Sequence, residues 1–327
     1  MFYVRQSGEL VPIAIQLGQK PGPETPIWTP DDAELDWLLA KTHVKSADSH
    51  YQTIWCHLAR AHFLMEVFTV SMYRQLPSNH PVYKLLVQHT RFTVAGAQVG
   101  RDLLLTGEDS IFQKILSVPG QEPEFIKNCF ADFHIDTLVP PKDFANRGVA
   151  DPKLLPNYHF RDDAMLIWDK ITEHVTKVLS LFYKSDNDVA EDVELHAFVK
   201  DVREKGLKKG SADDTPSGIP ESLTSLKQLV EMTSMILFHS SCYHASMNYG
   251  QLDYFAFAPN YPSAMRQAPP TKKGETTDKM LMDTLPNKAD QALTIAFAYY
   301  LSEPLSDEVS LFWFIFFVVH SRFFDFQ

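Results

Sequence analysis

The sequence predicts a mainly α-helical fold, on three observations. Apolar side chains recur at helical spacing, as in Trp168, Ile171, Val175, Val178 and Phe182. No internal repeat and no strand-rich stretch appears. With 327 residues, 45% hydrophobic and 12% aromatic, the chain can bury a large core. We read it as one domain.

Taken in order, Leu10 to Leu17 reads as a short buried strand or extended segment, and residues 18–30 form a loop with four prolines. Asp31 or Asp32 can cap a short helix through Leu39. Ser46 or Asp48 can cap a longer one that runs to Leu76 and stops at Pro77. A further helical pattern spans Pro81 to Leu105, after which Pro119, Gly120, Pro140, Pro141 and Pro152 divide the chain into loops and short helices. Trp168 to Phe182 marks a core helix. The polar stretch from Lys205 to Pro220 reads as a surface loop, and Leu223 to Asn248 as another long helix.

Composition narrows the function. A net charge of −11 without a sustained basic run argues against nucleic acid and against an anionic membrane as partner, leaving transient contact with neutral membrane open. The apolar run from Ser310 to Val319 is about ten residues, well short of the roughly 20 that a membrane helix needs, so no transmembrane span is expected. Cys56, Cys129 and Cys242 show no paired spacing, and the N-terminus has no leader pattern; both fit a reducing, cytoplasmic setting. Cys56 and Cys242 each lie within two residues of a candidate ligand histidine. Each is read as a small core residue or as a redox-sensing thiol.

Two ligand pairs carry the chemistry: His57-Leu-Ala-Arg-Ala-His62 and, far downstream, His244-Ala-Ser-Met-Asn248. Residues five apart on a regular α-helix differ by about 140° around the axis, so His57 and His62 cannot easily share one ion. A π-bulge would bring i and i+5 onto nearly one face. His244 and Asn248, at i and i+4, already share one. Imidazole suits several transition metals, and an amide oxygen suits iron better than a structural zinc. With no thiolate pair and no HExxH, a zinc hydrolase is disfavoured and non-haem iron (Fe2+/Fe3+) favoured. Glu66, four residues beyond His62, either accepts a hydrogen bond near the metal or pairs with an arginine. His50, His80 and His89 share no face with the ligands and read as structural hydrogen-bonders.

The stretches GELVPIAIQLG, DWLLAKTHVKSAD, HLARAHFLMEVF, RQLPSNHPVYKLLVQHTRFT, GIPESL, HASMNYGQLDY and APPTKKG occur in this order over roughly residues 1 to 300. In this the chain resembles the catalytic domain of animal lipoxygenases, iron dioxygenases that insert O2 into polyunsaturated fatty acids. The resemblance implies a lipoxygenase-like helical catalytic domain with His57, His62, His244 and Asn248 on iron, and Gln251 bonding toward Asn248. It further implies that Gly100, a position usually alanine in S-specific and glycine in R-specific members, leaves space for oxygen at the other carbon. A relaxed helix is the alternative reading of that glycine. Ser49, Ile115 and Leu116 match positions that shape the depth of the fatty-acid channel, while Val99 replaces a basic residue some members place near the substrate carboxylate.

By the same comparison the chain is expected to be a partial catalytic domain truncated at both ends, an internal fragment or an aberrantly spliced product. It would lack the N-terminal β-sandwich, and its residues 302–327 would form a divergent apolar tail in place of the family's terminal isoleucine, whose carboxylate binds iron. Two functions stay open: a fatty-acid dioxygenase, or an inactive homologue that serves as a fatty-acid-binding or interaction protein.

Overall fold

The computed structural model describes residues 1–208 and 217–303, and within them the architecture is mainly helical. Extended structure is confined to two small antiparallel pairs near the N-terminus. Phe2–Val4 pairs with Leu10–Pro12, and Ile15–Gln16 with Ile27–Trp28. The predicted segment from Leu10 to Leu17 is thus two short strands, and the proline loop closes the second pair. Ile15 and Trp28 from that pair bury against Ala40 of the first helix, which gives the hairpin an apolar footing that two isolated strands lack.

The first helix differs from expectation. Rather than ending near Leu39 and restarting at Ser46 or Asp48, it runs without a break through Glu34–His50, Tyr51–Phe63 and Leu64–Gln75. Its first residue follows Ala33, which offers no side-chain cap, and Asp32 instead accepts from the Thr29 main chain at 2.7 Å. Ser46 is buried inside the run, where its carbonyl accepts from the Ser49 hydroxyl and the His50 ring. The Ser46 hydroxyl itself is buried without a partner, so the surrounding packing carries the helix through this residue against that cost.

The helix start is fastened from the far end of the sequence. Buried Asp36 accepts main-chain bonds from Gly274 and Thr276, and Lys273 reaches Asp32 at 2.8 Å. Gly274 adopts φ +78°, which an L side chain rarely accepts, so the glycine closing the APPTKKG stretch makes this turn possible.

The pattern from Pro81 to Leu105 resolves into Pro81–Thr90, Thr93–Gly100 and a π-helical turn at Arg101–Leu105. His80 caps the first of these through Nδ1 and bonds Asp192 through Nε2, so it is structural as expected. The core helix is His159–Leu179. It packs on Leu226–Phe238, with Trp168, Val175, Leu179, Met235 and Phe238 in the largest buried cluster beside Met65, Phe68 and Met72 of the first helix. Complete burial of one such side chain contributes about 1.5–3 kcal/mol.

The predicted long helix from Leu223 becomes Leu226–Phe238, a π-helical turn at His239–Tyr243 and then His244–Asn248. No helix among the described residues is long and apolar enough to cross a membrane. The apolar run from Ser310 to Val319 and most of the predicted loop around 209–216 lie outside the described residues.

Candidate metal centre

The stretch Tyr51–Phe63 is π-helical over 13 residues, far more than the single extra residue that ligand spacing alone required. An i→i+5 repeat stacks residue i over residue i+5, which an α-turn does not. As a result the Nε2 atoms of His57 and His62 stand 3.3 Å apart. A separate π-turn, at His239–Tyr243, delivers His244 to the same place from across the core. One ligand atom from each of the three histidines lies within 4.8 Å of the others. Ring centroids are separated by 5.1 Å for His57 and His62, 5.6 Å for His57 and His244, and 4.6 Å for His62 and His244.

This geometry fits one transition-metal ion. Two nitrogens bound at about 2.1 Å and at right angles stand about 3 Å apart, close to the His57–His62 separation. Charge points the same way. Burial, followed by His62 and His244, holds the His57 imidazole well below its usual range against a hydrogen bond to Asn248 that opposes the shift. Burial and then His244 push His62 down to about 3. Unprotonated imidazoles offer lone pairs at neutral pH.

Asn248 is buried beside this cluster, and its amide is oriented at both ends. Its Nδ2 donates to the Leu301 carbonyl at 2.5 Å, and its Oδ1 accepts from Gln251 Nε2 at 3.4 Å. The Gln251 contact was implied by the family resemblance. The Leu301 carbonyl was not, because a main-chain acceptor carries no residue signature. Glu66 pairs with Arg101, with both guanidinium nitrogens on its oxygens at 2.6 and 2.7 Å, so the arginine reading of that residue holds.

Of the three positions matched to channel depth, two fall in one satellite cluster. Ile115 and Leu116 are buried with Ile54, Leu58, Leu104 and Phe112, and Ile54 and Leu58 stand on the same helix as His57. Gly100 closes the helix opposite. A Cβ added there would meet Leu58 Cδ1 at 3.3 Å. Ser49 lies apart in its bonding: fully buried, its hydroxyl donates to the Ser46 and Pro262 carbonyls at 2.7 and 3.1 Å. Neighbouring His50 accepts from the Ser117 main chain at 3.0 Å, which ties Leu116 to this end of the helix.

Comparison with known proteins agrees with the geometry. The lipoxygenase family model matches residues 1–313. The allene oxide synthase-lipoxygenase protein of Plexaura homomalla is 38% identical over 94% of this chain and 29% of its own length. The 12R-type arachidonate 12-lipoxygenase of Rattus norvegicus is 39% identical over 86% of this chain and 39% of its own. Among solved structures, coral 8R-lipoxygenase superimposes with a TM-score of 0.90 at 38% identity, over 94% of this chain and 46% of that one. A lipoxygenase in complex with arachidonate gives 0.90 at 37% identity, over 94% and 45%. The chain spans less than half the length of these relatives.

Proposed function

The chain belongs to the lipoxygenase family, and from that premise we propose that it is a non-haem iron dioxygenase that inserts O2 into polyunsaturated fatty acids. The observation that carries this reading is the convergence of His57, His62 and His244 within 4.8 Å; we assign Asn248 as the fourth ligand. When bound, iron supplies a one-electron acceptor for removal of the weakly held hydrogen between two cis double bonds, after which O2 adds to the carbon radical.

The protein's own part is binding, orientation and exclusion of water. The three imidazoles bring their ring nitrogens together. Gln251 and the Leu301 carbonyl engage the two ends of the Asn248 amide and fix its plane. The apolar wall of Ile54, Leu58, Phe112 and Ile115 takes the hydrocarbon chain and keeps water from the radical. Gly100 sits against Leu58, and what supports R stereochemistry is that glycine is the residue R-specific members usually carry at this position. Three free cysteines fit a cytosolic setting.

The full chain, loaded with ferrous iron and given linoleate or arachidonate, is expected to bind one iron and to form conjugated diene in step with oxygen uptake. Fatty-acid binding without iron would overturn this in favour of a non-catalytic lipid-binding protein. Zinc in place of iron, without oxygen uptake, would overturn it as well.

A further inference from the structure

On the side of the ligand helix away from the histidines lies a cleft of about 830 Å³, within the range of ligand cavities. Tyr51, Trp55, Cys56 and Arg60 line it from that helix, with Phe133, Phe160, His239 and Tyr243 facing them. None of His57, His62, His244, Gly100, Ile115 or Leu116 contributes to its wall. It is therefore separate from the site described above. Exposed Asp132, Asn146 and Tyr254 also line it and stand toward solvent.

Two polar groups in this wall lack partners. The Arg60 guanidinium donates to the Thr137 carbonyl and lies 5.1 Å from the Tyr243 ring centre, yet its Nε is buried with no acceptor. No carboxylate among the described residues pairs with Arg60. The lining acids are engaged elsewhere or exposed: Asp143 bonds Arg147 at 2.8 Å, Asp48 accepts from the Tyr261 hydroxyl at 2.7 Å, and Asp132 stands toward solvent. His239 is 1% exposed. Its Nε2 donates to the Leu138 carbonyl at 2.8 Å, which leaves Nδ1 as a buried acceptor with no donor.

Arg60 is half-buried, but its buried Nε has no acceptor and no carboxylate among the described residues balances its charge; its fork matches a carboxylate. The aromatic wall around it suits an apolar body. We propose that this cleft binds an amphipathic carboxylic acid, with the carboxylate on Arg60 and the hydrocarbon against Trp55, Phe133 and Phe160. His239 Nδ1 would accept from a hydroxyl on such an acid, so hydroxylated acids bind more tightly than plain ones. The same helix carries Arg60 on this side and His57 and His62 on the other, so an occupied cleft braces the turn that sets the metal ligands.

The inference does not depend on dioxygenase activity, and its test uses the iron-free full chain with hexadecanoate, which has no diene to oxidise. Titration calorimetry is expected to show binding that weakens with salt. Affinity should fall at least tenfold in Arg60→Gln, and Arg60→Lys should retain more than Arg60→Gln. Methyl hexadecanoate should bind the unsubstituted protein no better than the acid binds Arg60→Gln. Equal affinity in the unsubstituted protein and Arg60→Gln would overturn the proposal. Because Arg60→Gln can fail to fold, a diazirine-bearing hexadecanoic acid gives a second reading on the unsubstituted protein. Crosslinks within residues 133–160 or 239–254 support the cleft. Crosslinks confined to residues 100–116, or no crosslinks at all, overturn it.

Discussion

The Nε2 atoms of His57 and His62 stand 3.3 Å apart although the residues are five apart in sequence. The π-helical stretch at Tyr51–Phe63 makes that approach possible, and the third histidine arrives beside a second such turn. Two of the four π-helical segments among the described residues, Tyr51–Phe63 and His239–Tyr243, carry or immediately precede a candidate metal ligand, while Arg101–Leu105 and Val202–Gly206 do not.

If these imidazoles share an ion, binding must stabilise the folded chain, because the unfolded chain cannot assemble the cluster. Ferrous iron at about a hundred times its dissociation constant is expected to raise the melting temperature by about 4 °C. His62→Ala should abolish the rise. Scanning calorimetry under argon reads this directly, and an equal rise in the variant would exclude His62 as a ligand.

Asn248 depends on Gln251 for its orientation. Replacing Gln251 with leucine is expected to weaken iron retention by about tenfold or more, as losing a partner of a metal ligand generally does, with little change in the circular dichroism spectrum. Competition against a graded chelator measures the loss. Unchanged retention would make Gln251 a residue that only finishes its helix.

A methyl group at residue 100 would press on Leu58 Cδ1, 3.3 Å from the new carbon, and the leucine has to yield by a few tenths of an ångström. Gly100→Ala is therefore expected to change stability by less than about 1 kcal/mol while shifting the oxygenated product toward the S enantiomer. Chiral chromatography of the hydroperoxide decides, and an unchanged enantiomer ratio would end the stereochemical argument for Gly100.

Burial pushes His43 down to about 4, and its Nε2 has no hydrogen-bond partner. The folded pKa lies below the unfolded value near 6.5, so this residue's contribution is intact above pH 6.5. It declines as pH falls toward 4, since only the unfolded chain takes up the proton. The decline amounts to about 2–3 kcal/mol. His43→Leu should remove it, and denaturant melts at pH 7 and pH 5 should then differ less than in the unsubstituted protein. An equal difference would show that other groups govern acid sensitivity.

Much of this was legible in residue spacing. The i,i+5 histidine pair demanded a rewound turn, and the turn is there, because no other local device aligns those side chains. The amphipathic spacing around Trp168 marked a core helix for the same physical reason. Elsewhere local signals were overridden. Ser46 and Asp48 suggested a helix start, yet tertiary contacts carry the helix straight through, with Ser46 satisfying its neighbours instead of capping. The cleft around Arg60 was invisible in one dimension. Its walls come from four segments spread over more than 190 residues, and an unpartnered Nε is a property of packing alone.

The thirteen-residue π stretch has a dynamic consequence. Its hydrogen-bond register has little intrinsic propensity behind it and is kept by the surroundings, so an ion closing His57 and His62 also acts as a clamp on the winding of the backbone. Amide exchange across residues 52–63 should then proceed as one cooperative opening, slow in the holo form and quick once the metal is stripped, while Leu64–Gln75 beyond it barely responds. Metal loss and local unwinding would be two views of a single event.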